Sequence, residues 1–261
     1  LTATAYLHRA LLHTAETGDL LGERETAARY REAADALRDA FNAAFLGPQG
    51  HYRTARDPGY RQTSNAVPLA FGLVPPGARA SVLDSLVRDI EERGNHLNTG
   101  ALGTSVLLRV LCAHGRPDVA HAVATQRTYP SWGYWRENGA DTMWEMWPLD
   151  SRFRDHYFQG TVVQWLYENV AGLRPGDAGY RAFVVRPDAR TGVDWARTSI
   201  RTVPAPDRKT DTATGPRPCS AALASRLPSA WASRPGSAAT CSGPASQHSA
   251  RSRPAAANGA R

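Results

Sequence analysis

A segment rich in tryptophan and acids, residues 129–147, holds the side chains of this sequence that are best suited to chemistry. It reads YPSWGYWRENGADTMWEMW and contains four of the seven Trp residues and the acids Glu137, Asp141 and Glu145. Aromatic rings stack on the C–H faces of a pyranose, and carboxylates serve as bases in glycoside hydrolysis. The segment therefore predicts a sugar site. The other interpretation is an aromatic core patch with acids at its surface.

Glycine and proline divide this segment. They favour a loop that leads into a short helix, which is a common place for a functional site. These residues are Pro130, Gly133, Gly139 and, directly after the segment, Pro148. On such a helix, Trp144 and Trp147 would flank Glu145 on different sides of one turn. We expect one of these Trp residues to line a pocket and the other to lie in the core. Trp132 and Tyr134 form either an outer stacking wall or core packing.

The net charge of +7 is concentrated in the last part of the chain. Residues 1–203 carry 23 Arg and 22 acids, whereas residues 204–261 carry 8 basic and 2 acidic residues. The charge therefore gives no reason to expect a nucleic-acid partner for the body. No apolar run approaches the roughly 20 residues that span a bilayer, so we expect no membrane partner. The three Cys are scattered and no CxxC or HExxH motif occurs, so we expect no metal site.

Helical periodicity dominates residues 1–173. Apolar residues recur at steps of three and four in segment 23–46, in a stretch after Pro76 that ends near Gly94, and in segments around residues 102–111, 120–123 and 162–170. Polar loops separate them, including HYRTARDPGYRQTSN and GNHLNTG. Helices that alternate with such loops indicate a helical barrel or solenoid. Segments 180–187 and 193–203 are rich in β-branched and aromatic residues and predict the first strands of a β domain.

The final segment, 204–261, has a different composition. It is rich in Ala, Ser, Pro and Arg, and its large apolar residues are Leu223, Leu227 and Trp231. We predict disorder, because such a segment buries too little surface to offset its chain entropy. Our hypothesis is that the reading frame was lost near Val203, and a basic linker or nucleic-acid-binding tail is the alternative. At the other end, LTATAYLHRALLHTAE lacks a start Met and is typical of a helix within a domain. We therefore expect a piece of a longer protein.

Five blocks in this order resemble the bacterial α-L-rhamnosidases of glycoside hydrolase family 78. They are QTSNAVPLAFGLVP, GNHLNTGALGTSVLLRVL, YPSWGYWRENGADTMWEMW, DHYFQGTVVQWLYENVAGLRP and AGYRAFVVRP. The resemblance implies a mainly α fold, the C-terminal portion of an (α/α)6 barrel followed by the first strands of a β-sandwich and the disordered tail. The expected domains are the partial catalytic barrel over 1–175, the start of the β-sandwich over 176–203 and the tail over 204–261.

The resemblance also implies a mechanism. Family members invert the anomeric centre with two acids, and GADTMWEMW is similar to the motif that carries the general base, which places that base at Glu145. Nothing similar to the acid-rich block of the proton donor occurs in residues 1–130, so we expect the general acid to be missing. Met146 stands where the family more often has Arg, and the connection from Glu145 to His156 is shorter than usual.

The remaining site assignments follow the same comparison. His156, in DHYFQG, matches a histidine of the sugar-binding subsite, although a structural histidine at a helix start is the alternative. The loop HLNTG, with His96, Asn98 and Thr99, is similar to a family loop that we interpret mainly as shaping the chain, and the alternative is that it faces the pocket. The resemblance implies a rhamnose-containing glycoside or polysaccharide as the partner and no metal or organic cofactor. The alternatives are an inactive truncated protein that binds carbohydrate weakly, and a helical-barrel glycosidase for another sugar.

Overall fold

The structure, a computed structural model, describes residues 1–57, 59–201, 220–226 and 239–240. The helices of this part are α1 (Thr2–Leu21), α2 (Arg24–Phe45), α3 (Gln62–Ala70), α4 (Arg79–Glu92), α5 (Ala101–Ala113), α6 (Pro117–Ala124), α7 (Trp132–Glu137) and α8 (Tyr157–Trp165). The last of them continues as one wider π-helical turn over Leu166–Val170. The helices predicted from periodicity are confirmed as α2, α4, α5, α6 and α8. None of the described helices is long and apolar enough to cross a membrane.

The helices form a double layer. In one layer α1 packs on α3, α3 on α5 and α5 on α8, while α2, α4 and α6 pack behind α1, α3 and α5 respectively. Each helix buries one apolar stripe against this arrangement, as α4 does with Val82, Leu86, Val87 and Ile90. The chain therefore folds as successive helical hairpins, and the first helices of these hairpins form one layer with α8.

Two glycines allow helices to approach closely. A Cβ at Gly18 of α1 would lie 3.2 Å from the Cβ of Ala27 in α2. A Cβ at Gly103 of α5 would lie 2.2 Å from Oγ1 of Thr63 in α3, which is well inside van der Waals contact. The same Cβ would lie 2.9 Å from both Cβ of Thr63 and Cγ2 of Thr99, so rotation of the Thr63 hydroxyl would not relieve the overlap and the α3–α5 contact depends on the missing side chain.

Helix α3 corrects part of the sequence interpretation. The loop assigned to HYRTARDPGYRQTSN ends at Arg61, and Gln62 already begins α3. The sequence pattern hid this helix because its first turn is polar and Pro68 lies within it. Every residue from Gln62 to Leu69 except Thr63 is buried, so tertiary packing stabilises a helix that its composition does not favour.

Short antiparallel strands follow the helices. The strand β1 (Leu173–Pro175) pairs with β2 (Phe183–Val185), and β3 (Trp195–Arg201) pairs with β4 (Ser220–Arg226) from Trp195 opposite Arg226 to Arg201 opposite Ser220. β5 (Ala239–Thr240) pairs with β2. The strands expected in 180–187 and 193–203 are confirmed.

The structure differs from the predicted disorder at β4 and β5. Main-chain pairing needs no large side chains, so the exposed edges of β3 and β2 can each order a small-residue segment that has little to bury. The rest of the predicted disordered tail, residues 204–219, 227–238 and 241–261, lies outside the described residues. The ranges 1–175, 176–203 and 204–261 stay predictions.

Candidate functional site

The candidate base, Glu145, lies in an irregular loop of residues 138–156 that joins α7 to α8. The short helix expected around Trp144 and Trp147 is wrong, because this segment is not helical and the short helix α7 precedes it. The physical reason is that main-chain donors here have tertiary partners. The N–H of Glu145 donates to the Phe153 carbonyl at 2.9 Å, and that of Met146 donates to Ser151 Oγ at 3.2 Å.

The main chain of Glu145 is held on both sides. Besides the bond from its N–H, its carbonyl accepts a hydrogen bond from Nε2 of Gln159 at 3.2 Å. A second main-chain bond, from the His156 N–H to the Met143 carbonyl at 2.7 Å, closes the loop. The side chain is half-buried, and within the described part of the chain its carboxylate takes part in no hydrogen bond or ion pair. The loop therefore presents a fixed residue with an unpaired acid.

Three buried tryptophans pack together at this loop, namely Trp144 and Trp147 of the loop itself and Trp135 of α7. We call these three residues the floor of the candidate site. Trp135 lies between Trp147, at a ring-centroid distance of 4.4 Å, and Trp144, at 5.7 Å. The Trp135 indole N–H donates to the Trp147 carbonyl, and the Trp147 indole N–H donates to the Thr99 carbonyl, both at 2.8 Å. Trp147 is therefore held as a core residue that connects the loop to the start of α5.

Trp144 differs from Trp147 although both are buried. Among the described residues its indole N–H has no hydrogen-bond partner. The guanidinium of Arg154 lies over its ring at 4.4 Å from the centroid and donates to the Ser151 and Leu149 carbonyls. A buried donor without a partner is costly, so Trp144 is a candidate for contact with a bound molecule.

The other predicted contacts surround this floor. Trp132 is half-buried, lies edge-on to Trp147 at 5.3 Å and donates its indole N–H to the Gln159 carbonyl at 2.9 Å. Tyr134 is half-buried and lies edge-on to the exposed Tyr129 at 5.4 Å. Both residues make packing contacts and are partly exposed, so the stacking wall stays a prediction beside the core interpretation.

His156 directly precedes α8. Its ring stacks on Tyr157 at 5.8 Å and tilts against Phe158 at 5.2 Å, and its Nδ1 is buried without a partner among the described residues. The bond from the His156 N–H to the Met143 carbonyl brings His156 close to the part of the loop that carries Glu145. An imidazole with an unpaired nitrogen can donate to or accept from a ligand, according to its tautomer.

The other acids of the segment have different surroundings. Glu137 forms an ion pair with Arg127, whereas Asp141 is exposed to solvent. The described part of the chain contains no group of three or more His, Cys, Asp or Glu side chains that could hold a metal ion. Of the three acids, Glu145 combines partial burial with an unpaired carboxylate.

The HLNTG loop has a structural role. His96 bonds the Arg93 carbonyl at 2.8 Å and Thr128 Oγ1 at 2.7 Å, and Asn98 bonds the main chain of Gln62 and Tyr60. Thr99 supplies the carbonyl that receives the Trp147 indole. This agrees with the interpretation of HLNTG as a loop-shaping motif.

Sequence reasoning missed the residues that fix the loop. Gln159, Phe153 and Ser151 act through main-chain contacts that no spacing pattern reveals. The one available signal was Gln159 itself, because an amide among the apolar positions of a helix requires a partner.

The helical hairpins and the loop that follows α7 lie within a region that matches a six-hairpin glycosidase domain. The bacterial alpha-L-rhamnosidase six-hairpin glycosidase domain matches residues 1–170, and the bacterial alpha-L-rhamnosidase C-terminal domain matches residues 172–204. The chain belongs to the bacterial α-L-rhamnosidase family. The resemblance and the mainly helical fold class expected from it are confirmed.

Similar proteins cover most of this chain. An α-L-rhamnosidase of Streptomyces avermitilis is 37% identical in an alignment of 214 residues that covers 78% of this chain and 20% of that protein. One of Formosa agariphila is 31% identical in an alignment of 212 residues that covers 77% of this chain and 22% of that protein. The chain spans about a fifth of the length of these curated relatives.

Solved structures of α-L-rhamnosidases are also similar to this chain. The α-L-rhamnosidase from Dictyoglumus thermophilum superposes with a TM-score of 0.70 at 33% identity, covering 76% of this chain and 22% of that one. The Streptomyces avermitilis α-L-rhamnosidase in complex with L-rhamnose gives a TM-score of 0.64 at 37% identity, covering 71% and 18% respectively.

Proposed function

We propose that Glu145 is the general base of an inverting hydrolysis that releases terminal α-L-rhamnose from glycosides or polysaccharides. Membership of the α-L-rhamnosidase family supports the reaction class. The sugar is supported by the Streptomyces avermitilis relative, whose structure is a complex with L-rhamnose. The assignment of the base to Glu145 is supported by the place of this residue in GADTMWEMW, within the loop that contains Trp144 and Trp147.

The state of Glu145 is the observation that carries this proposal. Its N–H and its carbonyl are both bonded, to Phe153 and Gln159, while its carboxylate is unpaired among the described residues. A base must be held in place and must keep its lone pairs for the proton that it removes. An acid whose role was structural would be expected to have the opposite pattern, a paired carboxylate such as that of Glu137.

In the proposed reaction, Glu145 takes a proton from a water molecule as the water oxygen bonds to the anomeric carbon. The bond from that carbon to the leaving oxygen breaks on the opposite face, and a second carboxyl group protonates the leaving oxygen. Inverting enzymes hold the two carboxyl groups roughly 6.5–9.5 Å apart so that the water fits. In this proposal the chain lacks the proton donor, so only leaving groups that are stable as anions depart.

The sugar contacts in this proposal come from the polar atoms without partners. The Trp144 indole N–H and the His156 Nδ1 are buried beside the loop, and a rhamnose hydroxyl would satisfy each of them. The half-buried rings of Trp132 and Tyr134 would form an outer wall against the sugar or the group attached to it. Trp147 supports the floor, because its indole N–H is already bonded to Thr99.

A substrate with an activated leaving group tests this proposal without the proton donor. We expect the chain to hydrolyse 2,4-dinitrophenyl α-L-rhamnoside above the spontaneous rate and to leave natural rhamnosides intact.

Glu145→Gln keeps the shape and removes the base, so kcat should fall by about 10²–10⁴-fold. The matched control is Glu137→Gln, which changes the same group at an acid engaged with Arg127 and should leave kcat within twofold. Equal rates for the parent and Glu145→Gln would exclude Glu145 from the role.

The two alternatives give different results in a binding assay. A glycosidase for another sugar would show saturable binding of, for example, D-mannose or L-fucose in preference to L-rhamnose by NMR titration. A non-catalytic carbohydrate binder would bind L-rhamnose weakly and leave the activated rhamnoside at its spontaneous rate.

A further inference from the structure

Gln159 is a buried amide in the first part of α8. Its relative exposure is 0%, and it lies on the face of α8 that packs against the 138–156 loop. Its neighbours on the helix, Phe158 and Gly160, provide no polar group for it. Burial of a primary amide costs free energy unless its donors and acceptor find partners, so its position requires a reason.

The two polar ends of Gln159 contact two parts of the candidate site. Its side-chain Nε2 donates to the Glu145 carbonyl at 3.2 Å, and its main-chain carbonyl accepts from the Trp132 indole N–H at 2.9 Å. One residue thus connects the acid to the aromatic wall. The orientation of the amide is fixed by chemistry, since the reverse orientation would place Oε1 against another acceptor.

The amide is only partly satisfied. Oε1 of Gln159 is buried and has no partner among the described residues. An apolar side chain of the same size would avoid this cost, so stability alone does not account for an amide here. The bond to Glu145 does account for it, because without that bond the part-buried carbonyl of the candidate base would lose its donor.

We propose that Gln159 is a positioning residue that fixes the main chain of Glu145 relative to Trp132. This inference rests on the proposed function, because it assigns Gln159 to the base of that site. Phe153 holds the N–H of Glu145 and Gln159 holds its carbonyl, so both peptide groups of the base are fixed. The carboxylate can then move only about its own side-chain torsions, which keeps it in reach of the attacking water.

Gln159→Met tests this role, because it keeps the approximate volume and removes the donor. We expect kcat on 2,4-dinitrophenyl α-L-rhamnoside to fall by about 10–100-fold, the effect of a small misplacement, with KM within twofold. Independently of activity, we expect the hydrogen-exchange protection of the Glu145 amide to fall at least about tenfold, because that amide is next to the lost bond.

Asn65→Leu is the matched control. Asn65 is also a fully buried amide, and it bonds both main-chain groups of Tyr52, away from the 138–156 loop. Asn65→Leu should lower the Tm. The hydrogen-exchange protection of the Glu145 amide, measured relative to that of the amides of α8, should be the same as in the parent. A Gln159→Met protein with parental Glu145 protection and parental kcat would overturn the proposal.

Gln159→Glu adds a pH-dependent test. A protonated carboxyl can donate to the Glu145 carbonyl, whereas a carboxylate cannot. Because burial raises the pKa of a carboxyl group, that pKa is first measured by following the variant over a wide pH range. The protection of the Glu145 amide, corrected for intrinsic exchange, should be low above this pKa and recover as the pH falls through it. Protection that does not change across the pKa would contradict a specific hydrogen bond. Should the parent fail to hydrolyse the activated rhamnoside, the proposed function fails, and the two protection measurements still decide the role of Gln159.

Discussion

Two loops at the same side of the helical layers use their polar residues in opposite ways. In the 94–100 loop, His96 and Asn98 are bonded to neighbouring groups, and Thr99 Oγ1 shares a hydrogen bond with Thr104 at 2.7 Å. In the 138–156 loop, the main chain is bonded while the side chains of Trp144, Glu145 and His156 keep unpaired polar atoms among the described residues.

From this difference we propose that the 94–100 loop maintains structure and that the 138–156 loop binds the substrate. Both loops contain polar residues and glycine and lie between helices, but only the 138–156 loop contains tryptophan. A buried polar atom without a partner is costly, and it persists where a ligand or water completes its bonding. The comparison therefore predicts that substitutions in the 94–100 loop affect stability and that those in the 138–156 loop affect substrate binding or turnover.

The largest expected effect contrasts two tryptophans of the same loop. Trp147→Phe leaves the buried Thr99 carbonyl without its donor, so the free energy of unfolding should fall by about 2–4 kcal/mol. Trp144→Phe removes an N–H that has no partner, so the stability loss should be smaller by about 1 kcal/mol or more, while the affinity for L-rhamnose decreases. Urea unfolding and NMR titration of both variants measure this. Equal losses of stability would break the distinction between the two residues.

A substitution in the other loop should act on stability alone. Asn98→Ala removes the acceptor of the Gln62 N–H and the donor to the Tyr60 carbonyl, so the unfolding free energy should decrease by about 2–3 kcal/mol. The kcat and KM for the activated rhamnoside should stay at parental values below the new Tm. A selective increase in KM would place Asn98 in the binding site.

His156→Ala should weaken binding with little effect on stability. A lost hydrogen bond to a sugar hydroxyl is worth about 0.5–1.5 kcal/mol, which corresponds to a roughly 2–13-fold increase in the dissociation constant for L-rhamnose. Isothermal titration of the variant beside Tyr157→Ala, which removes only the neighbouring ring, separates the imidazole from its stacking partner. Unchanged affinity would return His156 to the role of a structural residue at the start of α8.

The smallest effect concerns pH and lies outside both loops. Burial, followed by the charge of Arg38, lowers the pKa of His8 in the α1–α2 contact below its usual value. The unfolded chain then binds more protons than the folded chain, so stability falls as the pH drops from the ordinary histidine pKa, about 6.5, through the folded value. The Tm of His8→Gln should depend less on pH between 7.5 and 5 than that of the parent. Identical pH profiles would show that His8 does not contribute.

The helices could be predicted because their signal is local. The spacing of Val82, Leu86 and Ile90 repeats with the helical period, and this is sufficient to predict α4. The helix α3 was missed because it is stabilised by burial among its neighbours, in spite of a polar first turn and Pro68.

The candidate base could be placed from its motif, but its environment could not. Spacing predicted a helical turn around Glu145, whereas the structure has an irregular loop whose donors bond to Phe153 and Ser151. Those partners are several residues away and are brought close only by the fold. The contrast between Trp144 and Trp147 likewise depends on one carbonyl, that of Thr99, which lies 48 residues from Trp147 in the sequence.

The stereochemistry of the product tests the central claim most directly. If Glu145 activates water for a single displacement, ¹H NMR during hydrolysis of 2,4-dinitrophenyl α-L-rhamnoside should show β-L-rhamnose first, before mutarotation produces the α anomer. The same signal should be absent with Glu145→Gln. The α anomer as the first product, or β-L-rhamnose formed equally fast by Glu145→Gln, would contradict a general base at this position.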